Sequence, residues 1–435
     1  MKPRKPCCAK PWPAPPADEA HRQIVVARMR AGFALRAAAA CLLLMLSAGC
    51  ASIARLPAPP SEQVTSIDVL GVPDSRFWAD GDPAPIVAYY ERVLRRRLSA
   101  LPSGRNARPA PGHFLALSGG ADDGAFGAGV LVGWTETGQR PEFDLVTGIS
   151  AGALIAPFAF LGPAYDPQLR SLFTEIAQND VVQIGQLALA VLFREAVADT
   201  TPLARLIERH ADEAMLQAIA AEYQRGRLLL IGTVNLDLGR PAVWNIGAIA
   251  ASGHPDALTL FRRILLASAS IPGAFPPVMI DVDVAGQRFQ EMHVDGGAAM
   301  QVFLYPARFR PRNLAGRTGP QRETTAWVIR NGRVDVAITD PPGGIFSIAR
   351  RSAQTLLHFS SINDLDRIYL STYRDRIGFR LQSIGQDFDT PRPRFFDNAY
   401  MRALFAYGEA RGRDMASWMT APPPVGLVSP PPPGQ

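Results

Sequence analysis

Twice between residues 113 and 152 a short apolar run breaks into small residues and opens directly into a helical segment. That strand–turn–helix step limits the chain to a few architectures. His113–Ser118 (HFLALS) reads as a strand, followed by a glycine-rich turn and a helix over Ala125–Thr137. Phe143–Thr147 (FDLVT) reads as a second strand, followed by a tight turn and a helix from Ala151. Further strands are expected at Arg227–Val234, Ala242–Ile246, Gln287–Val294 and Thr325–Ile329. A helix over Ala257–Ala269 stops near Ile271-Pro272-Gly273. Short strands alternating with helices predict an α/β domain around a largely parallel sheet. Ile348–Tyr369 and Asn398–Met419 read as C-terminal helices packed on it.

Charge and residue usage remove several chemistries. The formal net charge is +6, but residues 1–49 hold eight Lys or Arg and two acids, so they carry all of it. The remaining body has 37 basic and 37 acidic residues, a balance that argues against a phosphate backbone as main partner. Lys2, Lys5 and Lys10 are the three lysines of the chain. The body therefore has no Schiff-base lysine, no Walker-type lysine and no Ser-Lys dyad. The cysteines are Cys7, Cys8, Cys41 and Cys50, which excludes a thiol nucleophile, a zinc-thiolate site or an intrachain disulfide after residue 50.

Three turns can carry chemistry. Gly148-Ile149-Ser150-Ala151-Gly152 follows a strand and opens a helix. Small neighbours suit a Ser on a strained, closely packed turn, with its Oγ lifted to the positive end of the next helix. Ser118-Gly119-Gly120-Ala121-Asp122-Asp123-Gly124, with Gly127 and Gly129 beyond, also joins strand to helix. Its backbone N–H groups can face one anion. Two acids inside it repel a pyrophosphate, and the position about 20 residues on, near Asp144, falls inside the next strand, so a dinucleotide site is disfavoured. An oxyanion hole beside Ser150 accounts for both turns. Asp295-Gly296-Gly297 ends the alternating strand and leaves a carboxylate at its tip, where it can accept the Ser150 proton.

In this order the three motifs resemble the patatin-like phospholipase family over about residues 113–308. Ala267–Pro277 (ASASIPGAFPP) is similar to that family's segment before its Asp. The resemblance implies a three-layer patatin-like domain. It implies Ser150 as nucleophile, Asp295 as base, and Gly119, Gly120, Ala121 and Gly124 around the oxyanion, with Gly148 and Gly152 framing the elbow. The expected substrate is a lipid or other acyl ester, in a phospholipase A or lysophospholipase type of reaction that needs no cofactor. Two positions depart from the family pattern. Ala121 stands where a third Gly is usual, and Asp123 where Lys or Arg is usual. Asp123 predicts a preference for neutral or cationic head groups, or else caps the helix at Ala125. A thioesterase, a general esterase, or a non-catalytic envelope protein retaining the fold are the alternatives.

Histidine is the other open question. The order Ser150, Asp295, His358 matches the triad order of α/β-hydrolases. His293, two residues before Asp295, shares its strand face. His113, His210 and His254 show no partner spacing, and no metal site is legible.

Outside the hydrolase segment the chain divides as follows. From Met29, Arg30 and Arg36 precede an apolar run over Ala37–Leu46, which fits a secretory signal. Ser47-Ala48-Gly49-Cys50 resembles a bacterial lipobox, implying lipidation at Cys50; Ala51 after it implies the outer membrane, facing the periplasm. Residues 1–28 add nothing a signal needs and read as upstream of the start. Residues 50–112 read as a tether plus an amphipathic helix, Ile86–Leu101, bearing Arg95-Arg96-Arg97. Residues 309–420 read as a helical extension and 421–435 as a Pro-rich tail. Val181–Phe193 reads as either a lid or a core helix, and Arg308–Arg322 as a basic loop. Oligomeric state is not legible.

Overall fold

The computed structural model describes residues 55–99, 111–175, 200–306, 309–310, 322–337 and 343–428, all within one compact unit. The signal segment, Cys50, residues 102–110, the apolar run 181–193, most of the 308–322 loop and the tail from 429 lie outside the described residues. In chain order come β1 (Arg76–Trp78), α1 (Ala84–Ser99), β2 (Gly112–Leu117), α2 (Gly124–Glu136), β3 (Leu145–Ile149), α3 (Ala151–Leu161), α4 (Asp166–Thr174), α5 (Thr201–His210) and α6 (Glu213–Gln224). Then come β4 (Leu228–Asn235), β5 (Arg240–Asn245), α7 (Ile246–Ala250), α8 (Ala257–Ser268), β6 (Val278–Val284) and β7 (Gln287–Asp295). The last are β8 (Thr324–Arg333), β9 (Val336–Ala337), α9 (Ile345–Asp375), β10 (Gly378–Ile384), α10 (Asn398–Arg413) and β11 (Leu427–Val428).

Among the described residues nine strands share one sheet, ordered β1-β5-β4-β3-β2-β8-β10, with β7 also on β4 and β6 on β7. The centre, β4-β3-β2-β8-β10, is parallel; β1, β5, β6 and β7 add antiparallel pairs at one side. Both faces are covered. Leu115, Leu117, Val146, Leu229 and Ile231 face a core shared with α2, α3, α5, α8 and α10. Phe114, Ala116, Leu145, Leu228 and Leu230 face a second core closed by α1 and α9. Double-sided burial is why Arg227–Val234 reads as an unbroken apolar run rather than an alternating one. The result is a mixed α/β, three-layer fold, as the sequence predicts.

Helix α2 is buried almost all round because glycines let α10 lie against it. A Cβ on Gly129 or Gly133 would strike the carbonyls of Phe405 and Glu409; one on Gly408 or Gly412 would strike those of Phe126 and Val130. Gly129, met in sequence as a possible anion-loop residue, is thus a packing residue.

Two sequence expectations need correction. Residues 55–99 are more than a tether and helix. Arg76–Trp78 pairs with β5 as an edge strand, Arg76 forms a buried ion pair with Glu291, and Phe77, Tyr89 and Val93 enter the core. A three-residue strand gives too few alternations to be read from sequence. The segment after 309 is not a helical extension either, since β8 and β10 complete the parallel sheet next to β2. In β6, Val278–Val284, and in β10, polar residues dilute the apolar pattern that would mark a strand.

Candidate active site

Parallel register brings the ends of β2, β3 and β8 level: Leu117 pairs with Gly148 on one side and Ile329 on the other. The site lies at that carboxyl edge, where α/β sheets place their ligand crevices. Strand β3 ends at Ile149, α3 begins at Ala151, and Ser150 between them has φ 55° and ψ −125°. Left-handed backbone is strained for a residue with a side chain. The flanking glycines permit the turn. A Cβ on Gly148 would collide with the Gly152 carbonyl, and one on Gly152 with the Leu117 carbonyl. The turn is pinned from behind: Ser150 N–H donates to Ser268 Oγ at 3.0 Å, and that hydroxyl donates to the Gly232 carbonyl at 2.7 Å. Ser268 is fully buried and lies in the segment Ala267–Pro277, so the family-like stretch was visible in sequence while the role of this hydroxyl was not.

Asp295 ends β7 opposite Thr233 of β4. Its N–H donates to the Ser270 carbonyl at 3.0 Å, and Oδ1 accepts from the Gly297 N–H at 2.7 Å. The Ser150 side chain stands beside the same carboxyl group and pulls its pKa down. Both residues are buried. Burial pushes Asp295 up to about 7, while Ser150 and the Gly297 N–H hold it lower than burial alone would. Gly296 is small for a reason: a Cβ there would lie 2.7 Å from the Gly232 carbonyl oxygen.

The glycine-rich loop divides into N–H groups already used and those left. Gly119 N–H donates to the Gln301 carbonyl at 3.0 Å, and Gly124 N–H to the Ala121 and Asp122 carbonyls. These two glycines are therefore spacers rather than oxyanion donors, a correction to the sequence reading. A Cβ on Gly119 would lie 3.2 Å from Ser150 Cβ, and one on Gly124 would lie 2.7 Å from the Phe173 ring. The N–H groups of Gly120 and Ala121 are the remaining candidates. Ala121 keeps a left-handed φ of 51° although its side chain disfavours it. The loop is braced by residues the sequence reading did not name. Asn331 Nδ2 donates to the Ser118 carbonyl at 2.7 Å and its Oδ1 accepts from Gly127 at 3.0 Å. Gln301 Nε2 donates to the Gly297 carbonyl at 2.7 Å, tying the loop to the Asp-Gly-Gly turn. Both braces come from distant strands or loops, so no local pattern marks them.

Asp123 does not stand bare at the mouth of the site. Its Oδ1 accepts from Tyr400 Oη at 2.7 Å and lies 3.5 Å from Arg392 Nη1. Arg392 also reaches Asp122, 3.3 Å away, and Asp122 accepts from the Phe396 N–H at 3.0 Å. Burial raises Asp122 to about 6, against the pull of Arg392. Asp123 makes no side-chain cap to α2, so neither sequence reading of it describes its actual partners.

The histidines stand elsewhere. His293 is buried between Glu291 and Thr233, each 3.0 Å from a ring nitrogen. Burial lowers its pKa, opposed by Glu291. His358 lies on α9 beside Val334. Neither is bonded to Ser150 or Asp295. His113 bonds Trp327, His210 packs on Phe158, and His254 bonds Asp256 N–H. Among the described residues no three metal-ligating side chains converge.

Ser150 opens into an apolar pocket lined by Leu154, Phe173, Leu206, Ile271, Phe275 and Met401 among others. A larger cavity lies against the opposite face of the sheet, between α1 and α9, and does not include Ser150 or Asp295.

Residues 115–308 match the family described as Patatin-like phospholipase. Two solved structures align. VipD from Legionella pneumophila is 12% identical, with a TM-score of 0.33, covering 71% of this chain and 67% of that one. Human GIVD cytosolic phospholipase A2 is 12% identical, with a TM-score of 0.27, covering 73% of this chain and 53% of that one. This chain thus spans about half the length of the human protein. No curated protein matches the chain. Residues 115–308 are thus similar to the patatin-like phospholipases, over a little under half of the chain.

Proposed function

We propose that the protein is a serine acyl hydrolase that cleaves carboxylic esters of lipids with a Ser150–Asp295 dyad. The observation that carries this reading is the strained Ser150 turn, which lines an apolar pocket and whose side chain acts on the pKa of the buried Asp295 carboxyl group. Asp295 takes the Ser150 proton as Oγ attacks the ester carbonyl. A base tuned to about 7 is well matched to proton transfer near neutral pH. The N–H groups of Gly120 and Ala121, and the N-terminus of α3, favour the negative charge of the tetrahedral intermediate. Collapse expels the alcohol, which recovers the proton from Asp295. Water then attacks the acyl-enzyme, with Asp295 again as base. The pocket at Ser150 suits an acyl chain. Because Asp123 is held by Arg392 and Tyr400, it supplies no bare charge for selecting head groups.

A fluorophosphonate probe tests the reading: it should label the wild type and fail to label Ser150→Ala. Asp295→Asn should lose hydrolysis while staying folded. Full hydrolysis of a lipid ester by folded Ser150→Ala would refute it. The sequence Ser47–Cys50 supports a second proposal, that Cys50 is acylated and holds the domain at a bacterial membrane. Cys50→Ser should then lose a fatty-acid label and membrane association, and a mature N-terminus elsewhere would exclude it.

A further inference from the structure

We infer that residues 55–78, which lie outside the family-like segment 115–308, are a strap that holds the base of the dyad in place, with Arg76 as a positioning residue for Asp295. This rests on the reading of Ser150 and Asp295 as the catalytic dyad. Asp295 is the last residue of β7, and β7 meets the central sheet only at that tip. Asn235 pairs with His293, Val234 with Val294 and Thr233 with Asp295, and these pairs are all that join β7 to β4. The rest of β7 pairs with β6, and among the described residues β6 pairs with no other strand. The hairpin therefore reaches the site with few ladder bonds of its own, and other contacts must fix where Asp295 stands.

The strap supplies such contacts along the hairpin. At its start Arg55 donates twice to the Asp237 carboxylate, at 2.8 and 2.6 Å, and Asp237 in turn accepts the Met292 N–H at 2.8 Å, just before Asp295. Gln290 is tied by backbone and side chain. Its N–H donates to the Pro57 carbonyl at 3.1 Å, and its Oε1 accepts the Leu56 N–H at 2.9 Å. Asp68 and Asp283 exchange backbone bonds of 2.9 and 3.0 Å, so the strap also meets β6. Arg76, in β1, then crosses to Glu291 of β7, and both side chains are buried.

From Arg76 a closed set of contacts leads to the base. Side chains alternate along a strand, so Glu291, His293 and Asp295 share one face of β7. The Arg76 guanidinium pairs with Glu291 and lies 4.6 Å from the ring centre of Trp78 and 5.4 Å from that of Trp244. Trp244 Nε1 donates to Thr233 Oγ1 at 2.8 Å. The Thr233 hydroxyl proton then goes to His293 Nδ1, 3.0 Å away, which leaves the imidazole proton on Nε2, facing Glu291 at 3.0 Å. His293 is thus the neutral tautomer, in keeping with the lowered pKa that burial gives it. Thr233 is also the cross-strand partner of Asp295, so these contacts close beside the last pair of the β4–β7 ladder. A buried polar network of this kind makes rigid what it holds. Without Arg76, Glu291 stays buried with no cation, and the arrangement that fixes the strand tip is disfavoured.

The test separates position from stability. Hydrolysis of a short soluble ester by Arg76→Gln is divided by the number of sites that a fluorophosphonate labels to completion, so unfolded protein drops out of the count. Per labelled site, kcat should fall at least about tenfold with KM within about twofold of wild type, since a group misplaced by about 1 Å costs up to about a hundredfold. The second readout is the rate of labelling in Asp295→Asn. With no base left to position, adding Arg76→Gln should leave that rate unchanged, whereas a merely structural residue would slow it by the same factor as in wild type. Should Arg76→Gln fail to fold, Arg55→Gln at the part-exposed outer tie takes its place in the same cycle, with a loss of at least about threefold because such a pair holds less than a buried one. Wild-type kcat per site in the folded variant, or equal slowing in both backgrounds, would overturn the inference. Full hydrolysis by Asp295→Asn alone would instead refute the dyad on which the inference rests.

Discussion

The Ser268 hydroxyl stands directly behind Ser150, accepting the Ser150 N–H at 3.0 Å and donating to the Gly232 carbonyl at 2.7 Å. Through one side chain the strained turn is anchored to the neighbouring strand β4. Ser268→Ala leaves two buried backbone groups without their partner, at a cost of about 1–3 kcal/mol each when no water enters. Thermal unfolding should move down by several degrees. Because the substrate pocket is untouched, the loss in hydrolysis should appear in kcat more than in KM. A variant with normal stability and normal kcat would show that the elbow holds its geometry without this hydroxyl.

Asp295 makes a separate prediction about pH. Its pKa is raised to about 7, and only the ionised form accepts the Ser150 proton. The kcat/KM profile for a soluble ester should therefore rise with pH and level off above about 7. The sign for stability is opposite. A carboxyl whose folded pKa lies above its unfolded value favours the fold at low pH and loses that contribution as pH rises through about 7. Asp295→Asn removes the ionisation. Relative to wild type, its melting temperature should gain at pH 8 and lose that gain towards pH 4, measured by calorimetry across the range. A pH-rate profile flat from 5 to 8 would remove Asp295 as the base.

How far the sequence alone reaches can be followed residue by residue. Ser150, Asp295 and the two glycine turns are legible because each motif is local: a strand tip, a turn and a helix start fall within a few residues. The parallel centre is legible for the same reason. What stays hidden is held by contacts far apart in the chain. Asn331 braces Gly127 across the sheet, Gln301 joins two loops, and Arg392 neutralises acids some 270 residues earlier. Donor use is hidden too, since the sequence counts Gly119 and Gly120 alike while the fold gives the Gly119 N–H to Gln301. His293 shares a strand face with Asp295, as its spacing predicts, but Glu291 and Thr233 occupy its ring nitrogens.

Ala121 offers a stabilising substitution. Its φ of 51° costs a side-chain-bearing residue about 1 kcal/mol relative to glycine. Ala121→Gly relieves that strain, and the greater freedom of glycine in the unfolded chain offsets part of the gain. The net expectation is a slightly higher melting temperature, with hydrolysis retained because the N–H group remains. A drop in stability would mean that the methyl group, which lines the Ser150 pocket, contributes more by packing than its backbone costs.

Arg392 decides whether the acids of the glycine-rich loop matter for charge. It is the guanidinium shared by Asp122, 3.3 Å away, and Asp123, 3.5 Å away. Arg392→Gln leaves buried Asp122 with the Phe396 N–H and no counter-charge. Loss of one partner of a buried pair costs about 3–5 kcal/mol at full burial and less here, because Arg392 is part-exposed. Asp122 already titrates at about 6, and removal of Arg392 raises it further. The destabilisation should therefore be largest above that pH and shrink as the solution is acidified and Asp122 takes up a proton. Asp123→Asn behaves differently: Tyr400 can still donate to the amide oxygen, and Arg392 keeps Asp122. Stability should change little, and the rate ratio between anionic and zwitterionic lipid substrates should stay within about twofold of wild type. In Arg392→Gln the same ratio should fall against anionic lipid at low salt and recover at high salt, as an unscreened carboxylate requires. If Asp123→Asn alone shifts the ratio tenfold towards anionic lipid, the carboxylate acts on the head group despite Arg392, and its pairing does not neutralise it.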